Sequence, residues 1–483
     1  MSTPQYGIDA MHFALPRLTL PIRELAEARG IETDKLRFGL GLESMAVCDT
    51  DEDVVTLAAE AAWNLIQQAG IQAEEIGRIY LGTESSVDAA KPSATYVLGL
   101  LEERLEAQFG PRALRHCDAV DMTFACVGGV DALQNSLDWI RASSGRKALV
   151  IASDVAKYAP GSGGEYTQGA GAVAMWLTES PRLLTLDTEF AVAIENVGDF
   201  FKPRRSFPKS QLLQEAAALL GQTLSDADAS ALTAQASEGF WATPEDYIEQ
   251  FLEHPVFDGP YSNDCYVARL SEALDSYQKQ SGHLILRDWD AMVFHLPYAY
   301  QGRRMWAEIA IQLVDQAERL HEIEASVGQT KEEAGGFKAL SKLWSKTPHY
   351  KAYVETYIRP GEIASQQIGN MYTASIFMSL LSTLVDSRNQ DLNIAGRRIG
   401  FLSYGSGSKS KVFSGTIQTD FMHGLDGVRP FNHLENRTEI DFATYEKLHK
   451  RSLTQPLTEA KGARLVKIET EGNLYGYRRY AIA

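Results

Sequence analysis

The stretch DMTFACVGGVDAL, residues 121–133, sets a lone cysteine one residue before two glycines, where a strand gives way to a helix. Val130, Leu133, Leu137 and Ile140 follow at spacings of three, four and three, the stripe of one buried helix face, so Cys126 stands at a helix N-terminus. The unpaired N–H groups there favour thiolate over thiol, and they can hold an oxyanion formed on an attached acyl carbon. Gly128 and Gly129 admit a close neighbour, either backbone or thioester, at roughly 1 kcal/mol each in helix propensity. A small inert residue on a buried helix would look the same, because free cysteine is among the most buried residue types. Partners elsewhere in the chain have to separate the two readings.

Outward from this point the N-terminal third alternates strand and helix. DVVTLAAEAAWNLIQQAG (53–70) is a helix ending at glycine, and IGRIYLGTES (76–85) is a strand breaking into a polar loop. A helix through ATYVLGLLEERLEAQ, a strand around RHCDAVDMT, the helix after Cys126, and strands at KALVIASDVA and AGAVAMWLTE follow. That alternation predicts an α/β layered fold. The C-terminal region repeats the order: WDAMVFHLPYA as strand and loop, RRMWAEIAIQLVDQAERL and GNMYTASIFMSLLSTLVD as helices, and RRIGFLSYGSGSKSKVFSGTIQ as two strands around a Gly/Ser loop. Two related halves are expected, 1–185 and 186–483, without a residue-level repeat. Residues 203–252 read as an inserted, alanine-rich, acidic helical segment and 325–360 as a second, Lys-rich insertion; the tail from 452 is a candidate edge strand pair.

The 483 residues are 45% hydrophobic and 23% charged, enough to bury a site completely. No apolar run is long enough for a bilayer, and the polar opening MSTPQYGIDAMHF lacks a secretory signal pattern, so a cytoplasmic enzyme is expected. Cys48, Cys117, Cys126 and Cys265 follow neither disulfide nor metal spacing and read as reduced thiols. A net charge of −17 argues against nucleic acid or an anionic membrane as the main partner.

An acyl-transferring thiol needs a base, and Glu84 follows an apolar strand whose C-terminal edge is a usual place for a site; a solvated loop acid is the alternative. His295, in AMVFHLPYAYQGRRM, follows a strand and precedes Leu-Pro; it is either a ligand to substrate or a satisfied core histidine. The other nine of the ten histidines show no paired spacing, and no metal site is expected. Asn370 opens a buried helix, as an N-cap or as a donor to a substrate carbonyl. Gly405 and Ser406 lie in YGSGS (404–408), a turn whose backbone N–H groups can reach a ligand. Tyr158 lies on the loop leaving the strand after the cysteine's helix, as a pocket residue or a packing aromatic.

The segments GTESSVDAAKPSA, DMTFACVGGVDAL, SDVAKYAPGSGGEYTQGAGAVAM, DFFKPRR, HPVFDGPYSNDCY, FHLPYAYQGRRM, IGNMYTASIFMSLLS and IGFLSYGSGSKSKVFSG occur in this order. In them the chain resembles the hydroxymethylglutaryl-CoA synthase family of thiolase-fold condensing enzymes, over most of its length outside the two insertions. The resemblance implies a five-layer αβαβα core from two duplicated halves with helical insertions, and a homodimer. It implies condensation of acetyl-CoA with acetoacetyl-CoA in the mevalonate pathway, with no metal or redox cofactor. Cys126 matches the nucleophile, Glu84 the general acid/base and His295 the residue that binds acetoacetyl-CoA. Tyr158, Asn370 and Ser406 match the acyl pocket, with the N–H groups of Cys126 and Ser406 as oxyanion hole. Lys202, Arg204, Arg205, Arg303 and Arg304 are candidates for the CoA phosphates. Tyr300 stands where a lysine is frequent, and Lys409 and Lys411 replace smaller or apolar residues. A homologue acting on acyl-carrier-protein-bound chains keeps the same three catalytic residues; YQGRRM favours the CoA-dependent type. TESSVD with FHLPY argues against a decarboxylating ketoacyl synthase or thiolase, and the intact triad argues against a non-catalytic scaffold.

Overall fold

In the computed structural model, which describes residues 4–237, 239–313 and 317–483, the strand and helix alternation is observed in both halves. In chain order the elements that build the core are β1 (Tyr6–Ala14), α1 (Val54–Ala69), β2 (Arg78–Gly82), α2 (Ser93–Phe109), β3 (Asp118–Met122), α3 (Gly128–Arg141), β4 (Ala148–Val155), β5 (Ala170–Glu179), β6 (Leu184–Leu186), β7 (Ala191–Ile194), α4 (Gly259–Ser281), β8 (Ala291–Phe294), α5 (Gln301–Gln312), α6 (Ser375–Asn389), β9 (Arg398–Gly405) and β10 (Lys409–Ile417). Strand β1 was passed over in the sequence because YGIDAMHFA follows a polar opening; it is buried on both faces and reads as a continuous run rather than an alternation. Of the helix expected over Arg303–Leu320, residues 314–316 lie outside the described residues.

The strand order states the duplication. In the N-terminal half β2 is parallel to β4, β4 antiparallel to β5, and β5 antiparallel to β1. In the C-terminal half β8 is parallel to β9, β9 antiparallel to β10, and β10 antiparallel to β7. The N-terminal half adds β3, parallel to β2, and β6 pairs with both β1 and β10, joining the halves into one ten-stranded sheet. Side chains sort by strand face. Val150 and Ala152 of β4 pack into a central layer with α3 and α6, while Leu149 and Ile151 pack outward against α1 and α2. In the other half Val293 faces the central layer, and Met292 and Phe294 face α4 and α5. The result is five layers, helix–sheet–helix–sheet–helix.

The chain forms two compact units, Met1–Asp199 with Gly259–Ala483, and Phe200–Asp258. The second contains helices Lys209–Leu219 and Asp226–Gln235, but it is not all helical as the alanine content suggests. Arg204–Pro208 pairs with Tyr247–Phe251 and Phe200–Phe201 with Val256–Phe257, because aromatic and β-branched residues cluster at both ends of the segment. Glu238, inside the expected insertion 203–252, lies outside the described residues. Residues 325–360 are helices of the first unit, with Leu340, Trp344, Tyr350 and Val354 buried in the cluster that contains α5. The tail forms a hairpin, Ala463–Ile468 with Arg478–Ile482, whose Arg478 and Tyr480 bond Asp53 at the start of α1.

Glycine sets the spacing between α3 and the strand ends. A Cβ at Gly82 would lie 2.3 Å from the Gly129 Cα, and one at Gly128 would lie 2.6 Å from the Met122 carbonyl oxygen. Gly82→Ala is therefore expected to lower stability by about 1–3 kcal/mol. Gly99→Ala, at an exposed position in α2 with nothing within 4 Å of the new methyl, is expected to raise it by about 0.5–1 kcal/mol. Urea denaturation midpoints moving in opposite directions check the pair.

Candidate active site

Cys126 lies in the short turn between β3 and α3 and is buried at 8% exposure. The preceding Ala125 holds φ at 38°, an uncommon left-handed conformation for a residue with a side chain. Val127 N–H donates to the Phe124 carbonyl at 3.0 Å, closing the turn around the cysteine. The two following glycines serve backbone contact: they let the first turn of α3 rest on Gly82 and Met122.

Glu84 follows β2 on a loop whose shape is imposed from beneath. The carboxylate of Asp154, at the end of β4 and fully buried, accepts from the Thr83 hydroxyl at 2.9 Å, the Glu84 N–H at 2.9 Å and the Ser85 hydroxyl at 2.8 Å. Its second oxygen accepts from the Thr373 N–H at 3.0 Å, and the Thr373 hydroxyl lies 2.5 Å away. Burial pushes the Asp154 carboxyl above its usual range, opposed by the hydrogen bonds from Thr373, Ser85 and Glu84. Thr123 donates to the Thr83 carbonyl at 2.9 Å, tying the cysteine's approach to the same loop.

From the C-terminal half, His295 leaves β8 with its N–H on Leu402 and its carbonyl accepting from the Tyr266 hydroxyl at 2.9 Å. Its imidazole is buried at 2% exposure, and burial lowers its pKa to about 3 against a hydrogen bond to the Tyr372 backbone. The ring is neutral at any physiological pH, and its Nδ1 has no hydrogen-bond partner among the described residues. Asn370 does not cap α6, which begins at Ser375; its Oδ1 accepts from Tyr372 N–H at 2.8 Å and Ser375 hydroxyl at 3.2 Å, shaping the turn before the helix. That leaves its amide N–H groups as the part able to face a ligand. Ser406 lies 3.4 Å from Ser262, both beside Asp199, which accepts from Gly407 N–H at 2.7 Å and Tyr404 hydroxyl at 2.8 Å. At Gly405 a Cβ would meet Phe124 O at 2.7 Å and Val127 N at 2.9 Å, so this loop lies against the peptides flanking Cys126.

These groups converge. Burial, then the neighbouring Cys126 and Glu84, raise the Tyr158 hydroxyl. Burial, Tyr158, Glu84 and Cys126 raise Tyr372, and burial with Cys126 raises Tyr266. All three phenols stay protonated and able to donate. Tyr158 and Tyr372 rings are 6.4 Å apart, and Tyr266 and His295 rings 6.2 Å. Cys126, Glu84, Tyr158, Asn370 and His295 are thus gathered around Tyr372. The sequence reading missed Asp154, Tyr266, Tyr372 and Asp199; only Asp154, an acid ending an otherwise apolar strand, carried a usable signal.

The basic candidates separate. Arg303 grips the buried Glu362, Nε to Oε1 at 2.9 Å, and lies 3.9 Å over the Tyr300 ring, so its charge is engaged inside the fold. Tyr300 fills the space that Gly41 leaves open, where a Cβ would meet its ring at 2.6 Å. Arg304 is exposed; it donates to the Gly39 carbonyl at 3.3 Å and lies 5.7 Å over the Tyr298 ring. Lys202, Arg204 and Arg205 belong to the Phe200–Asp258 unit, where Arg204 lies 4.7 Å over Phe251. Among the described residues no group of three or more His, Cys, Asp and Glu is placed to hold a metal ion, and no helix is long and apolar enough to cross a membrane.

Two family models match the chain: hydroxymethylglutaryl-coenzyme A synthase N terminal over residues 3–181, and its C terminal counterpart over 247–460. A Haloferax volcanii hydroxymethylglutaryl-CoA synthase is 29% identical over 455 residues, covering 92% of this chain and 91% of the relative. One from Enterococcus faecalis is 29% identical over 448 residues, 92% of each. The solved structure of MvaS in complex with 3-hydroxy-3-methylglutaryl coenzyme A superposes with a TM-score of 0.75 at 28% identity, covering 100% of both chains.

The neutral His295 has a consequence for acid stability. Between pH 6.5, its ordinary value, and about 3, the unfolded chain binds a proton that the folded chain does not. The destabilisation is absent above pH 6.5 and grows by about 1.4 kcal/mol per pH unit below it. His12 and His433, also lowered by burial, add to the same slope. His295→Gln is expected to flatten, though not abolish, the fall in urea midpoint as pH drops from 6.5 to 4.5; an unchanged slope would mean that the folded imidazole takes up the proton.

Proposed function

The chain belongs to the hydroxymethylglutaryl-CoA synthase family, and from that premise we propose that Cys126, Glu84 and His295 carry the condensation of acetyl-CoA with acetoacetyl-CoA. The Cys126 thiolate attacks the acetyl thioester and expels CoA, leaving an acetyl-Cys126 thioester. Glu84 takes a proton from its methyl group. The enolate oxygen is held by the backbone N–H groups of Cys126 and Ser406, an interaction type worth about 3–4 kcal/mol per donor. The enolate carbon attacks the ketone of acetoacetyl-CoA, and Glu84 returns its proton to the new alkoxide. His295, neutral at working pH, orients that ketone with a hydrogen bond rather than a charge. Water then cleaves the thioester from Cys126, giving 3-hydroxy-3-methylglutaryl-CoA and the free enzyme.

What supports this reading most is the convergence of a thiol, a carboxyl and an uncharged imidazole from three different strand ends around Tyr372. The tyrosine hydroxyls and Asn370 line the acyl pocket in this reading, and Arg304 is kept as a contact to the CoA phosphates. The product enters the mevalonate route, and the enzyme works in the cytoplasm as a homodimer.

Intact-mass detection with both substrates separates the roles. Cys126→Ala is expected to take up no acetyl group. Glu84→Ala is expected to become acetylated while condensation falls by about 10²–10⁴-fold, and His295→Ala to raise the KM for acetoacetyl-CoA more than it slows acetylation. Condensation by the glutamate variant at the parent rate would remove Glu84 from its role. Turnover confined to carrier-protein-bound acetoacetyl thioester would replace the CoA-dependent assignment.

A further inference from the structure

The peptide of Tyr158 is held by two side chains that the chemistry above leaves unused. Its N–H donates to Gln168 Oε1 at 2.6 Å, and its carbonyl oxygen lies 3.0 Å from His449 Nε2. His449 Nε2 is also 3.3 Å from Gln168 Oε1. Both of these oxygens are acceptors, so the imidazole carries a proton on Nε2 and donates it between them. Tyr158 and Gln168 are buried, at 6% and 5% exposure. Losing one of these bonds leaves a buried polar group unsatisfied, which is the costly case.

The brace is anchored in turn. Gln168 Nε2 donates to the Tyr445 hydroxyl at 2.6 Å, and that hydroxyl donates to Glu165 Oε1 at 3.1 Å. Arg29 meets both Glu165 oxygens at 2.8 Å, and the Gly161 N–H donates to Oε2 at 2.7 Å. Burial acts to raise the Glu165 carboxyl, but Arg29 and the Gly161 N–H outweigh it and leave it lowered, so it stays an acceptor. Tyr445 and His449 both belong to the helix Phe442–His449. A segment far along the chain thus fixes the loop that carries Tyr158.

What is fixed is a wall of the pocket. The Tyr158 ring is seated on Gly164, where a Cβ would lie 2.2 Å from it, and its centroid is 6.4 Å from that of Tyr372. Its hydroxyl has Cys126 and Glu84 as electrostatic neighbours. The same loop sets the Asn370 peptide, whose N–H donates to the Thr167 carbonyl at 2.9 Å, and a Cβ on Gly369 would meet the Gln168 carbonyl at 2.0 Å. With the ring seated there, a shift of the Tyr158 peptide moves the phenol relative to the thiol and the carboxyl.

We infer that Gln168 and His449 are positioning residues that hold the Tyr158 peptide, and through it the phenol, at the thioester formed on Cys126. The inference rests on Tyr158 lining the acyl pocket. Tyr158→Phe alone reads that premise, and the paired variants read the inference.

The test is kcat for condensation at saturating acetyl-CoA and acetoacetyl-CoA, compared across a double-mutant cycle, with a urea midpoint for each variant. Tyr158→Phe is expected to lower kcat about 10-fold or more. His449→Ala and Gln168→Ala are each expected to lower it by about 10-fold, since a displacement of about 1 Å costs up to about 10²-fold. The KM for acetoacetyl-CoA is expected to stay within about twofold in both. His449→Gln, which keeps an N–H donor near the Nε2 position, is expected to recover most of the rate. In the Tyr158→Phe background His449→Ala is expected to cost less than about twofold further, while it lowers the urea midpoint as it does in the parent. Tyr158→Phe at the parent rate removes the premise, and the inference falls with it. With Tyr158→Phe slow, the inference alone is overturned by a His449→Ala loss that multiplies in full, by no loss in the parent, or by no recovery in His449→Gln.

Discussion

Asp154 is fully buried, and the way its two oxygens are satisfied arranges everything around the site. One oxygen collects donors from Thr83, Glu84 and Ser85 of the N-terminal half, and the other faces Thr373 of the C-terminal half. A buried carboxylate costs several kcal/mol unless its lone pairs are filled, so the two loops meet at the one geometry that fills them. The Thr373 hydroxyl also lies 2.9 Å from the Gly82 carbonyl, and Thr123 reaches Thr83. The carboxyl loop, the cysteine turn and the entry to α6 are thereby tied to one another.

Close backbone packing completes what the carboxylate starts. The first turn of α3 approaches Gly82 and Met122 more closely than any side chain would allow, and a Cβ on Gly129 would meet Thr373 O at 2.9 Å. The N-terminal ends of the two central helices therefore meet at the site, one from each half. Asp199 plays the corresponding part for the second loop, drawing Gly407, Tyr404 and Ser262 together and setting Gly405 against the cysteine turn.

The chemistry that this enclosure suits is one in which charge appears briefly and is answered by dipoles. Tyrosine hydroxyls kept protonated by burial, a neutral imidazole and backbone N–H groups need no reorganisation when an enolate or alkoxide forms. A fixed cation within the pocket would bind thioester and transition state alike, raising affinity without speeding the step.

The helical stripe from Val130 to Ile140 and the apolar runs at 78–82, 148–155 and 291–294 were legible because burial leaves a period in the residues themselves. Glu84 and His295 each follow such a run, and Cys126 precedes the helical stripe, so their places on the elements were legible as well. Strand β1 was not, being buried on both faces and so without alternation, and the strands of Phe200–Asp258 were hidden by the alanine-rich helices between them. Arg303, read as a phosphate ligand, is engaged by Glu362, 59 positions along the chain, and Asn370, read as a cap or ligand, shapes a turn. The sequence alone determined which residues carry reactive groups and on which elements they sit, because type and period are local properties. Only the tertiary structure decided which of them share one space and which are held by Asp154 or Asp199. Partnership between side chains distant in sequence depends on where buried charge finds its donors, and no local pattern records that.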